Sequence, residues 1–185
     1  MALTNPLVRS LHDLGLAAWF GGSFMANVGL HGAAEEVADP RQRARVPSAG
    51  WNRWAPIQNA GIGTHLLSAA LLTRANRGRL VAQRGVTSLG VAKGAVTILA
   101  VAATAYAARL GNTIDEAGDP PIAEATEPAP DTPPDVAAAQ RRLHLVQWSV
   151  PALTGALVVM NAVMGEQQRP KAVAAGVARR LAPGL

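Results

Sequence analysis

The sequence predicts an all-α, polytopic membrane protein: four transmembrane helices in one bundle. Three observations predict it. Four stretches of roughly 20 residues carry no charge or a single one. Their polar positions are Gly, Ser, Thr, Asn and His, the residues that let membrane helices approach closely, rather than a charged face opposite an apolar stripe. The charges collect between and beyond these stretches.

The 185 residues suffice for one domain. The chain is 49% hydrophobic but only 4% aromatic, so its apolar mass is Ala, Val, Leu and Gly. A mean hydropathy of +0.15 is low for a membrane protein, which leaves the distribution along the chain to decide. The absence of cysteine excludes disulfides, thiolate zinc sites, iron–sulfur ligation and a cysteine nucleophile. A net charge of +5 is compatible with nucleic-acid binding or with arginines that flank membrane spans.

Residues 1–13 read as a cytoplasmic N-terminus, and a transmembrane domain is expected over 14–165. The first span, about 14–34, "LGLAAWFGGSFMANVGLHGAA", is free of charge and reaches roughly 30 Å as a helix. It is long for a signal-peptide core, and no small-x-small cleavage site precedes Glu35, so it reads as a retained span. A mixed-charge loop follows. It ends in Trp51 and Trp54, which suit an interfacial belt where the second span begins.

The second span is expected over 55–73, with Pro56 harmless at its start. Residues 74–85, "RANRGRLVAQRG", read as a short basic loop. The third span, about 88–108, holds one charge, Lys93, close enough to its start to snorkel. Residues 110–140 are acidic and proline-rich and read as an extended, disordered excursion. The fourth span, about 143–165, contains Pro151, which is expected to kink it. Residues 166–185 form a basic tail suited to a cytoplasmic membrane surface.

With four spans both termini share a side. That side holds Arg9, Arg74, Arg77, Arg79, Arg84, Lys93, Arg169, Lys171, Arg179 and Arg180. The other holds Arg41, Arg43, Arg45, Arg53, Arg109, Arg141 and Arg142. The bias places both termini in the cytoplasm and the chain in an inner membrane as a multi-pass protein. Arginines spread over both faces form no single basic stripe, so nucleic acid is not an expected partner.

Polar residues at membrane depth carry the functional candidates: Asn27, Asn59, His65 and Asn161, with His12, His31 and His144 near span ends. His31 and His144 share the outer level, and two histidines at one depth on different helices can ligate a b-type haem. They are the candidate cofactor-binding pair. His65 is expected about 15 Å below the outer surface with no histidine at its level. Asn27, Asn59, Asn161 and His65 could line a polar cavity, or satisfy neighbouring helices as interhelical hydrogen bonds. The series Gly15, Gly21, Gly22, Ser23, Gly29 reads as a close-packing face. No phosphate-cradling loop, nucleophile elbow, His-Glu-x-x-His motif or intramembrane carboxylate pair occurs, so the sequence names no catalytic residue and no metal site.

The first helix, with His12, Gly15, Trp19, Gly21 and Gly22, resembles the opening helix of copper-resistance D-like proteins. It is also similar to that of small four-helix bacterial membrane families with a His-x-x-Gly…Trp-x-Gly-Gly start. The resemblance covers one helix, implies a four-helix membrane fold and carries over no functional residue. The Ala- and Arg-rich composition, poor in lysine, looks like that of a high-GC actinobacterial source. The expected role is a non-catalytic accessory or scaffold subunit of a larger inner-membrane assembly, partnered by the lipid bilayer and by other membrane subunits or a second copy. The alternatives are a haem b or metal redox protein using His31 and His144, and a small-solute channel or transporter.

Overall fold

The computed structural model describes residues 6–166 apart from residue 83, and no side chain between 76 and 87. The expected basic tail therefore lies outside the described residues. The protein is mostly helical. Helix α1 spans Pro6–Met25, passes through a π-helical turn at Ala26–Leu30, and continues as α2, His31–Glu35. A short α3, Pro40–Arg43, is capped by the Asp39 carboxylate, which accepts from the Arg41 N–H at 3.0 Å. The long helices α4, Arg45–Ala82, and α5, Arg84–Glu116, follow. A small hairpin (β1 Ile122–Glu124, β2 Glu127–Pro128) leads to α6, Pro134–Val146, and α7, Ser149–Glu166.

Helices α1, α4, α5 and α7 form a four-helix bundle whose neighbours alternate in direction. Gly15 meets Gly61 and Gly22 meets Trp54, so α1 and α4 run antiparallel. Lys93 reaches His12 and Thr104 reaches Trp19, so α5 runs parallel to α1. Gly155 lies on Phe20 and Asn161 reaches Asp13, so α7 runs antiparallel to it. The α1–α4 crossing is the tightest. A Cβ at Gly15 would stand 2.4 Å from the Gly61 carbonyl oxygen, a distance no side chain tolerates. Of the expected glycine face, Gly15 and Gly22 pack against α4, whereas Gly21 has open space beside it.

The bundle centre is filled by Leu16, Trp19, Ala100, Val150 and Leu157, with Ile62, Val96 and Leu153 around them. The outside is equally apolar. Leu67 and Ile98 are each 71% exposed, and Leu14, Val91 and Val159 also point outward. Threonines in the bundle satisfy their hydroxyls within their own helix: Thr97 donates to Lys93 O and Thr154 to Val150 O, each at 2.8 Å.

Two stretches, Ser88–Glu116 and Pro134–Glu166, are long and apolar enough to cross a membrane by length and composition. The expected first and second spans fall short of that measure. They are uncharged, but Gly, Asn, Gln and His dilute their apolar residues. The helix containing 55–73 begins ten residues earlier, at Arg45, so Pro56 sits in a helix interior rather than at a start. Trp54 packs over Gly22 inside the bundle rather than standing in an interfacial belt, and its indole N–H donates to Gln58 Oε1 at 3.2 Å. Residues 74–82 continue α4 and α5 begins at Arg84, so the expected basic loop is helical over its described residues.

Residues 110–140 are not an extended excursion. Helix α5 runs on to Glu116, and Leu110 and Ile114 form a second small core with Val136 and Ala139 of α6. The hairpin between them is pinned from three sides. Arg43 donates to Ala123 O at 2.6 Å, and Thr132 donates to Pro121 O at 2.5 Å. The buried Gln140 amide reaches the carbonyls of Glu124 and Glu127 at 3.3 and 3.4 Å. Outside the bundle, Arg45 pairs with Asp119 through both carboxylate oxygens. This pairing holds the Asp119 carboxyl below its ordinary value and raises the Arg45 guanidinium. Proline content reads as disorder only when nothing anchors the carbonyls; here side chains from α3 and α6 do so.

Candidate functional site

The polar groups inside the bundle fall into two clusters. The first lies where α1, α4, α5 and α7 meet, toward the start of α1. His12 and His65 stack with ring centroids 4.2 Å apart. His65 was expected to have no histidine at its level, and the helix register overturns this. With Gly15 on Gly61, an antiparallel pairing brings the residue three before Gly15 beside the residue four after Gly61. The mirrored spacings His12-x-x-Gly15 and Gly61-x-x-x-His65 were the signal in the sequence that could have shown it.

Hydrogen bonds fix the state of both rings. His65 Nδ1–H donates to the His12 carbonyl at 3.0 Å, which leaves Nε2 as a bare lone pair. That Nε2 is fully buried and has no partner among the described residues. The Lys93 ammonium donates to His12 Nε2 at 3.1 Å, so the His12 proton sits on Nδ1 and is donated to Asp13 Oδ1 at 2.9 Å. Asn161, half-buried on α7, donates to the same carboxylate oxygen at 3.4 Å. Two helical turns beyond His12, the Trp19 indole lies edge-on to His65. Its N–H donates to Thr104 Oγ1 at 3.0 Å, and that hydroxyl donates to Ala100 O at 2.8 Å. The sequence reading names His12 only as a histidine near a span end and Lys93 only as a snorkelling charge, and it gives Asp13 no role.

The second cluster surrounds the break between α6 and α7. Pro151 has no N–H to donate to the Gln147 carbonyl, and the helix breaks at residues 147 and 148. The interruption is local, since Gln147 keeps helical dihedrals and Ala152 N–H still donates to Trp148 O, and Pro151 stands in the first turn of α7. Asn27 supplies the missing donor: its Nδ2 reaches Gln147 O at 2.8 Å. The π-helical turn at Ala26–Leu30 carries this side chain. His31 lies against the Gln147 side chain, whose Oε1 is buried and without a partner among the described residues. Gln147 Nε2 donates to Thr126 Oγ1 at 3.4 Å, and the same hydroxyl meets His144 Nδ1 at 3.1 Å.

His31 and His144 therefore converge on adjoining partners at one end of the bundle, but each faces a protein side chain. Among the described residues, no three His, Asp or Glu side chains gather into a group that could hold a metal ion. The four residues considered for a polar cavity do not share one. Asn59 is exposed on α4, Asn27 ties to Gln147, Asn161 reaches Asp13, and His65 stacks on His12. Large apolar side chains occupy the space between them. No protein-family model, curated protein or solved structure matches the chain.

Proposed function

We propose that the chain is an integral membrane protein of four spans that serves as a non-catalytic accessory or scaffold subunit of a larger inner-membrane assembly. One observation carries this reading. All four bundle helices turn large apolar side chains outward, among them Leu14, Leu67, Ile98 and Val159, while the buried polar residues lie inside. A water-soluble bundle has the opposite arrangement; lipid or an apolar protein face is the medium that suits this one. Exposed carboxylates at Asp115, Glu116, Glu124, Glu127 and Asp135 give the end bearing the hairpin an acidic surface able to meet a basic partner. The Lys and Arg bias puts that end outside and both termini in the cytoplasm.

Fractionation of lysed cells, followed by native co-purification in gentle detergent, tests the proposal. The untagged chain is expected in the membrane fraction and in complex with defined membrane proteins. Recovery in the detergent-free supernatant overturns the membrane assignment. A homogeneous solitary monomer that crosslinks to nothing in cells overturns the subunit assignment.

A second reading has an observation of its own. His31 and His144 approach the linked Gln147 and Thr126 side chains, so two imidazoles from different helices serve one end of the bundle. A visible spectrum of the purified protein decides it: a Soret band lost on replacing either histidine supports haem ligation, and its absence excludes it.

A further inference from the structure

We propose that the outer face of α4, centred on Asn59, is a dimer contact that takes the same face of a second copy of this chain. The inference rests on the reading that the bundle spans a membrane. Trp54, Gly61 and His65 mark the face that α4 turns toward α1. At about 100° per residue, Pro56, Asn59, Ala60, Gly63 and Leu67 fall on the opposite face. Pro56, Asn59, Ala60 and Leu67 are exposed, and a Cβ added at Gly63 meets nothing within 4 Å.

Lipid is a poor cover for Asn59. The residue lies about 9 Å inside Arg53 and about 22 Å from Arg74 along α4. The contact of Gly61 with Gly15 and Ala18 sets it level with Trp19 in the bundle centre. Within a turn of that level the outer surface of the neighbouring helices is apolar: Leu99 on α5, Val158 and Val159 on α7. The Asn59 carboxamide has no hydrogen bond among the described residues. Leaving its two N–H donors and its carbonyl unserved in hydrocarbon is costly. Pro56 adds to the demand, because it lacks the N–H that would serve the Asn52 carbonyl one turn away on the same exposed face. The stretch 55–73 also falls short of the apolarity of a lipid-facing span, and Asn59 and Gly63 are among the residues that dilute it.

The chemistry of the face selects a second copy as its occupant. A carboxamide carries donors and an acceptor, so it is its own complement. Copies of one chain share one orientation in a membrane, and a two-fold axis along the membrane normal brings Asn59 to Asn59. The two amides then exchange N–H···O=C bonds. Pro56, Ala60 and Gly63 add little bulk around them and admit the close approach this exchange needs. Two turns beyond Ala60, Leu67 meets its counterpart. No Lys, Arg, Asp or Glu lies between Arg53 and Arg74, so the face is neutral and self-complementary rather than shaped for a charged partner.

Disulfide crosslinking of the full chain in native membranes reads the contact, because the chain has no cysteine of its own. Under mild oxidation, Ala60→Cys and Leu67→Cys should each give a dimer that reductant reverses. Ile98→Cys and Val159→Cys, which point outward on α5 and α7, should stay monomeric. In lipid vesicles, energy transfer between labelled copies over a lipid-dilution series measures the affinity. Asn59→Leu should weaken self-association by about tenfold, and Asn59→Gln, which restores a carboxamide, should recover most of it. A membrane-embedded chain that forms no dimer through either α4 cysteine overturns the contact and leaves the membrane reading standing. Equal crosslinking at all four positions, crosslinking to a different protein, or unchanged association of Asn59→Leu does the same. Recovery of the wild-type chain in the detergent-free supernatant overturns the membrane reading itself, and the contact with it.

Discussion

His12 and His65 pack ring against ring at a 35° tilt, yet only one of the two rings has both nitrogens engaged. His12 is held between Asp13 and Lys93, while His65 presents a buried, unpartnered Nε2. The pair exists because Gly15 and Gly61 bring the α1 and α4 backbones into contact one turn away. Backbone approach, ring stacking and ring tautomers therefore follow from one helix crossing.

The crossing should fail when a methyl group is inserted. Gly15→Ala places a carbon 2.4 Å from the Gly61 carbonyl oxygen, where only backbone movement gives relief. Thermal unfolding in detergent should show a loss of about 1–3 kcal/mol. Gly61→Ala, whose nearest contact would be at 3.2 Å, should cost less. Gly21→Ala, with open space beside it, should be neutral or gain up to ~1 kcal/mol from helix propensity. Equal losses at all three positions would show that contact is not the cause.

Asn27 and Pro151 should be thermodynamically coupled. Asn27→Leu strands the Gln147 carbonyl that Pro151 cannot serve, at a cost of about 1–3 kcal/mol. Pro151→Ala restores an N–H able to reach that carbonyl. In its background the Asn27 substitution should cost distinctly less. A double-mutant cycle with no interaction energy would remove this account of the α6–α7 break.

Trp19 fills the core and also spends its indole N–H on Thr104. Trp19→Phe keeps most of the volume and should lose roughly 1 kcal/mol with the hydrogen bond. Trp19→Ala opens a cavity beside Leu16 and Leu157 and should lose about 3–5 kcal/mol. Denaturation in a single detergent gives both values. Similar costs for the two variants would mean that the ring contributes no packing.

The tether between Arg45 and Asp119 should be acid-sensitive. Its carboxyl lies below the ordinary value of 3.8, so the unfolded segment binds the proton more readily than the folded one. The stabilisation is fully present above 3.8 and is lost as pH falls through the lower, folded value. Hydrogen exchange over residues 119–128, corrected for intrinsic rates, should show protection at neutral pH that declines only in strong acid. Asp119→Asn should flatten that dependence. Both groups are exposed, so the effect should be small and weakened by salt.

Helical content and the succession of long uncharged segments were legible in the sequence because charge spacing alone reports them. Register was not. Whether His65 meets a partner depends on which glycines touch, and Gly15, Gly21 and Gly22 are indistinguishable in a linear reading. The hairpin was misread for a related reason. Proline-rich, acidic composition describes the segment itself, whereas its order comes from Arg43, Gln140 and Thr132 reaching its carbonyls. His31 and His144 face Gln147 and Thr126, which lie in segments that the sequence reads as a kinked span and a disordered loop.

The contact at Gly15 and Gly61 also has a mechanical result. Two rods locked carbonyl against α-carbon can neither roll nor slide past each other, so α1 and α4 act as a stator. Any rearrangement of the bundle must then be borne by α5 and α7. They are fastened to that stator chiefly by side chains such as Lys93, Thr104 and Phe20 against Gly155, which yield where backbone does not.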